Sequence, residues 1–159
     1  MSDAEGELVS KYATVIMALA TLIPPFMTIF HGLSGHDGHL TGVSVTTYAL
    51  FWAIYPPTSS PSGLQVMTYY SLSAGLPLGF FNIIFAFQVI RFIRGRSSKR
   101  KTLVVGALTF VIPIISLIIA LPAMISFGVF VYIGPIPIQL AIGLILMHFA
   151  GPKEVTSPW

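Results

Sequence analysis

RFIRGRSSKRK, residues 91 to 101, carries six of the eight Lys and Arg residues of this 159-residue chain: Arg91, Arg94, Arg96, Lys99, Arg100 and Lys101. It separates two long stretches almost free of charge. From Ala13 to Ile90 the single Asp, Glu, Lys or Arg is Asp37, and from Thr102 to Pro152 there is none. Water is a poor solvent for both flanks, so the basic run reads as a turn between two membrane spans. Lys and Arg close to span ends stay on the cytoplasmic side, which makes residues 91–101 a cytoplasmic loop and orients the rest of the chain around it.

Composition points the same way. The chain is 55% apolar and 8% charged, with a mean hydropathy of +0.87, against roughly 45–50% and about 25% in soluble domains. Its length suits one domain, residues 1–159. Cysteine is absent, which excludes disulfides, thiolate metal sites and redox thiols. The basic pI of about 9.4 comes mostly from residues 91–101, and so marks one membrane face and gives no reason to expect a nucleic-acid partner.

Working outward, residues 12–31 (YATVIMALATLIPPFMTIFH) form the first expected helix, at about 30 Å long enough to span. Ala18-Leu-Ala20 resembles a signal-cleavage site, but Asp3, Glu5 and Glu7 precede it where a signal peptide is basic, so the segment reads as a span. A second helix is expected at about 65–90, with a kink at Pro77. The 49 uncharged residues from Thr102 to Ala150 suit two further helices, about 102–122 and 127–150, with the turn near Pro122 to Gly128 and bends at Pro135 and Pro137. Residues 151–159 form a cytoplasmic tail.

Residues 32–63 then make a large external loop. Within it 43–55 (VSVTTYALFWAIY) is too short to cross, and its aromatics suit headgroup depth. It reads as an interfacial segment, a re-entrant helix or, from its β-branched start, a short hairpin, with a fifth span as the alternative. The expected fold is an all-α integral membrane protein. It is an antiparallel four-transmembrane-helix bundle, a tetraspan protein with both termini cytoplasmic, in a cytoplasmic or plasma membrane. This topology resembles that of membrane proteins of the claudin kind, with a larger first external loop, a smaller second one and a basic internal turn. The paired cysteines and Gly-Leu-Trp signature of the claudin first loop are missing, so no residue's role carries over.

Lipid supplies no hydrophobic force between helices, so small and weakly polar residues at helical spacing mark the packing seams. The seams read Thr14, Ala18, Thr21, Pro25, Thr28; Ser71, Gly75, Gly79, Asn82, Ala86; Gly106, Thr109, Pro113, Ser116, Ala120, Ala123; and Gln139, Gly143, Leu146, Ala150. The same positions would line a pathway in a channel. A short internal likeness, Pro25-Phe-Met-Thr-Ile-Phe30 to Pro122-Ala-Met-Ile-Ser-Phe127, suggests a duplicated helical hairpin.

Sites for chemistry are few. His31, His36, Asp37 and His39 place three imidazoles and a carboxylate in nine residues, a donor set for zinc, copper or nickel and a candidate pH-responsive patch. His31 and His148 fall at opposite ends of the expected bundle, so they cannot pair on a haem, and no cofactor is expected. Asn82, Gln88 and Gln139 are the strongest polar groups at depth and read as interhelical hydrogen-bond partners. No nucleophile elbow, phosphate loop, paired carboxylate or zincin helix is present.

These features favour a non-enzymatic structural or accessory membrane protein, packed with other membrane subunits or with itself as a homo-oligomer. The alternatives are a small oligomeric channel or uncoupled carrier, and an external metal or pH sensor. The six cations of residues 91–101 set orientation and are placed to meet anionic headgroups at the cytoplasmic face.

Overall fold

Pro24 and Pro25 cut the first helix short. A proline lacks the N–H that would extend the ladder, and it biases the preceding residue toward extended backbone. In the computed structural model, which describes residues 3–34, 40–127 and 131–150, helix α1 (Asp3–Leu22) ends there and strand β1 (Met27–Ser34) begins. After it come β2 (Leu40–Tyr48), β3 (Trp52–Tyr55), β4 (Gly63–Val66), α2 (Tyr69–Leu78), α3 (Phe80–Ile93), α4 (Lys99–Leu108), α5 (Val111–Phe127), β5 (Val131–Pro135) and α6 (Ile138–Phe149).

The all-α expectation is overturned. The strands form one antiparallel five-stranded sheet in the order β4-β3-β2-β1-β5. The segment 43–55 is neither interfacial helix nor re-entrant; it supplies most of β2 and all of β3, with Tyr48 opposite Ala53. β1 pairs with β2 from Met27↔Tyr48 onward and with β5 from Met27↔Pro135 onward, which makes it the centre of the sheet's longest ladders. The last helix starts at Ile138, not 127, because Pro135 closes a strand and Pro137 sits at the helix N-cap. Twelve residues of α6 rise only about 18 Å.

The tetraspan bundle falls with it. Among the described residues one helical stretch, Lys99–Pro122, which runs through α4 into α5, is long and apolar enough to cross a membrane, and a second crossing arises only where Tyr69–Leu78 and Phe80–Ile93, bent by 59°, act as one span. That bend sits at Gly79 rather than Pro77. A Cβ on Gly79 would lie 2.8 Å from the Gly75 carbonyl oxygen and 2.8 Å from Leu50 Cδ1, so only glycine lets the chain turn there.

α3 is the hub of the helical part, touching α1, α4 and α6. Its buried face, Asn82, Phe85, Ala86, Val89, Phe92 and Ile93, closes one core with Ala13 and Met17 of α1 and Met147 of α6. A smaller core joins helices to sheet, where Phe26 and Met27 pack with Ile29, Tyr48, Leu78 and Ala120. Main-chain bonds from Phe26 N–H to the Tyr48 carbonyl (3.0 Å) and from Ile136 N–H to the Phe26 carbonyl (2.8 Å) tie α1's exit to both neighbouring strands. The sheet therefore adjoins the C-terminal end of α1 and the N-terminal ends of α2 and α6, while the α3–α4 turn lies at the far end of α3.

Candidate functional site

Gln139 opens α6 with a buried amide, 5% exposed, and a buried amide needs partners. Its Nε2 donates to Thr21 Oγ1 at 2.8 Å and to the Asn82 carbonyl oxygen at 2.7 Å, which joins α6 to α1 and α3. Thr21 in turn donates its hydroxyl to the Met17 carbonyl at 2.8 Å. Residues from three helices thus form one polar node, the single place where Thr21, Asn82 and Gln139 of the seams converge.

Below the node the seams meet around a ring. Phe85 is fully buried between two glycines: a Cβ on Gly106 would come within 2.9 Å of Phe85 Cε2, and one on Gly143 within 2.6 Å of Cε1 and Cζ. The glycines are sockets for an aromatic knob. Sequence reasoning singled out both glycines but not Phe85, since an apolar residue among apolar neighbours carries no local mark.

The remaining seam residues go elsewhere. Gly75 faces the β2–β3 turn, where a Cβ would stand 2.6 Å from the carbonyl oxygens of Ala49 and Leu50. Ser71 is enclosed and belongs to a capping box with Thr68 that starts α2. Thr28 lies in β1 and meets Thr47 of β2 at 3.4 Å between hydroxyls. Thr14 and Thr109 donate their hydroxyls locally, to the carbonyls of Ser10 and Gly106 at 2.8 and 2.7 Å, and Ser116 lies half-buried in α5. Gln88 donates to Ser97 Oγ, which braces the α3–α4 turn and joins no distant helices.

The basic residues gather at that turn. Arg91 lies in the last turn of α3 with its guanidinium 5.9 Å from the Phe87 ring centroid, Arg94 is the C-cap, Arg96 follows Gly95, whose φ of +69° reverses the chain, and Lys99, Arg100 and Lys101 open α4. All six are exposed. Three cations in the first turn of a helix oppose its dipole, which favours anions there.

The proposed metal donors lie outside the described residues: His36, Asp37 and His39 wholly, and His31 in its side chain. Among the described residues no group of three or more His, Cys, Asp or Glu could hold a metal ion. On the sheet, burial pushes the Tyr48 hydroxyl up to about 12, with Tyr55 beside it adding to the shift; the two rings stand edge to face at 5.9 Å.

Compared with protein-family models, with curated proteins and with solved structures, the chain matches none.

Proposed function

We propose that this chain is a non-enzymatic, multi-pass protein of a cytoplasmic or plasma membrane, packed with other membrane subunits or with copies of itself and presenting its sheet outside the lipid. One observation carries the reading. The most apolar 18 residues of the Lys99–Pro122 helix have a mean hydropathy of 2.7, yet only 11% of that stretch is buried inside the protein. A core helix of a soluble fold is apolar because it is covered; this one is apolar and bare.

Ile114, Ile115, Ile118 and Ile119 are all at least half exposed, and Val15, Ile16, Leu19 and Ile145 repeat the pattern on α1 and α6. Contiguous apolar surface of this kind belongs in lipid or against another membrane helix. The node and the Phe85 socket favour a packed scaffold over a pathway, because Thr21 and Gln139 bond one another and Phe85 fills the space below them.

The test is extraction and native-membrane capture. The protein should stay in the pellet after alkaline carbonate, leave it only with detergent, and migrate in native nanodiscs as a complex larger than one chain. Release without detergent would remove the membrane reading, and a solitary monomer in native nanodiscs would remove the packing role.

A further inference from the structure

The basic end of the protein is more than a set of scattered surface cations. Ser10, Lys11 and Thr14 of α1 and Arg94 and Arg96 of the α3–α4 turn line one cavity of about 480 Å³, within the range of roughly 300–1,000 Å³ typical of small-ligand sites. Lys11 is far in sequence from the two arginines. It is the packing of α1 on α3 that brings the three charges to one concavity.

Among the described residues no carboxylate lines the cavity; the sequence has no acid between Asp37 and Glu154 to serve the α3–α4 side, and on α1 Glu7 precedes Lys11 by four residues. Glu7 at i,i+4 spacing offsets at most the Lys11 charge, and the two arginines still leave the space positive, which favours an anion. Two guanidiniums and an ammonium present forked and point donors suited to the several oxygens of a phosphate, and charge-assisted bonds of this kind are the strong ones. Thr14 donates its hydroxyl to the Ser10 carbonyl, so it shapes the wall and leaves the donors to the cations.

We propose that this cavity is a phosphate-binding site, and that its occupant is the phosphomonoester headgroup of an anionic membrane lipid. The lipid source rests on the membrane reading above; the phosphate chemistry does not. Residues 91–101 lie at the end of the 24-residue apolar helix Lys99–Pro122, where headgroups meet water if that helix crosses.

Detergent-purified full-length protein would be titrated by calorimetry with dioctanoyl phosphatidic acid, with dioctanoyl phosphatidylcholine and with inorganic phosphate. Phosphatidic acid should bind saturably and phosphatidylcholine should not. Lys11→Gln with Arg96→Gln should weaken phosphatidic acid binding at least about tenfold, at roughly fivefold for each cation removed near the surface. Arg91→Gln with Lys99→Gln, which removes the same charge outside the cavity lining, should weaken it by less than about threefold.

Equal losses in the two pairs, or no saturable binding, would overturn the site. Because all these side chains are exposed, both variants should keep the parent's elution profile; should the cavity pair fail to fold, Arg96→Gln alone takes its place under the same comparison. Equal affinity for inorganic phosphate and phosphatidic acid would support the site with a soluble occupant, and phosphatidic acid alone would support it with lipid as the source. Loss of binding in a protein that still needs detergent removes this site and leaves the membrane reading standing. Phosphate binding by a protein that is monodisperse without detergent does the reverse.

Discussion

Phe85 shows how much of this molecule depends on atoms that are missing. Its ring occupies the room left by two absent side chains, with Gly106 on α4 and Gly143 on α6, and in a close-packed interior neither socket can widen without moving a helix. Gly143→Ala would place a methyl 2.6 Å from two ring carbons. The ring cannot retreat, because Gly106 already confines it from another side. The substitution should therefore destabilise the protein by about 1–3 kcal/mol, as overpacking does, read as the midpoint of thermal unfolding in detergent. Phe85→Leu in the same background should restore part of the loss, and a Gly143→Ala protein as stable as its parent would show the socket to be loose. The polar node is only partly legible in the sequence. Asn82 and Gln139 are legible as interhelical bonding groups from their depth in apolar sequence, but Asn82 enters through its main-chain carbonyl, and no side-chain pattern discloses that.

At the scale of elements, hydropathy reveals that these segments avoid water without disclosing whether they coil or extend. PFMTIF and PAMISF look alike at residues 25–30 and 122–127, yet the first leads into β1 and the second ends α5. Two prolines after α1 release the first from helix, and pairing to β2 and β5 then satisfies its backbone; the second continues a helix already under way. The aromatic segment 43–55 had a β-branched start that pointed to strand, and the hairpin alternative is the one realised. β5 left less trace, since VYIGP gains its identity only from lying beside β1. On the helices the seams are displaced as well as partial: α1 buries Ala13, Met17, Ala20 and Thr21 and leaves Ala18 exposed. Large side chains share that interface, so small residues alone misplace it by one position. The sheet also carries a pH signature. The folded protein keeps Tyr48 protonated up to about 12, whereas the unfolded chain loses that proton near the ordinary 10.0. The stabilisation is complete below pH 10 and declines as pH rises from there toward 12; the half-buried ring is partly screened by solvent, so the loss is about 1 kcal/mol rather than the full value of the shift. Denaturant unfolding at stepped pH should show a steeper alkaline decline in the parent than in Tyr48→Phe, and identical slopes would show the hydroxyl to be solvated.

For the molecule as a whole, the chain path sets the sheet against the basic turn. α1 runs into β1, β4 feeds α2, and α5 reaches α6 through β5, so every passage between helix and strand lies at one end, while α3 turns into α4 at the other. If the helices sit in lipid, the two ends face different aqueous phases, and the density of Lys and Arg assigns residues 91–101 to the cytoplasm. The sequence provides a clean way to read this, because it contains no cysteine and a single introduced thiol is unique. Thr58 and Lys99 are both exposed, the first between β3 and β4 and the second at the start of α4. On intact cells a membrane-impermeant maleimide should label Thr58→Cys at once and Lys99→Cys only after permeabilisation. Labelling of both positions on intact cells would place the two ends in one phase, and then neither the bare isoleucines of Lys99–Pro122 nor the charge asymmetry would have a bilayer to account for them. Labelling with the two positions exchanged would keep the protein in the membrane and invert it, which would move the phosphate-binding cavity to the outer leaflet and make the cations a ligand site instead of an orientation signal.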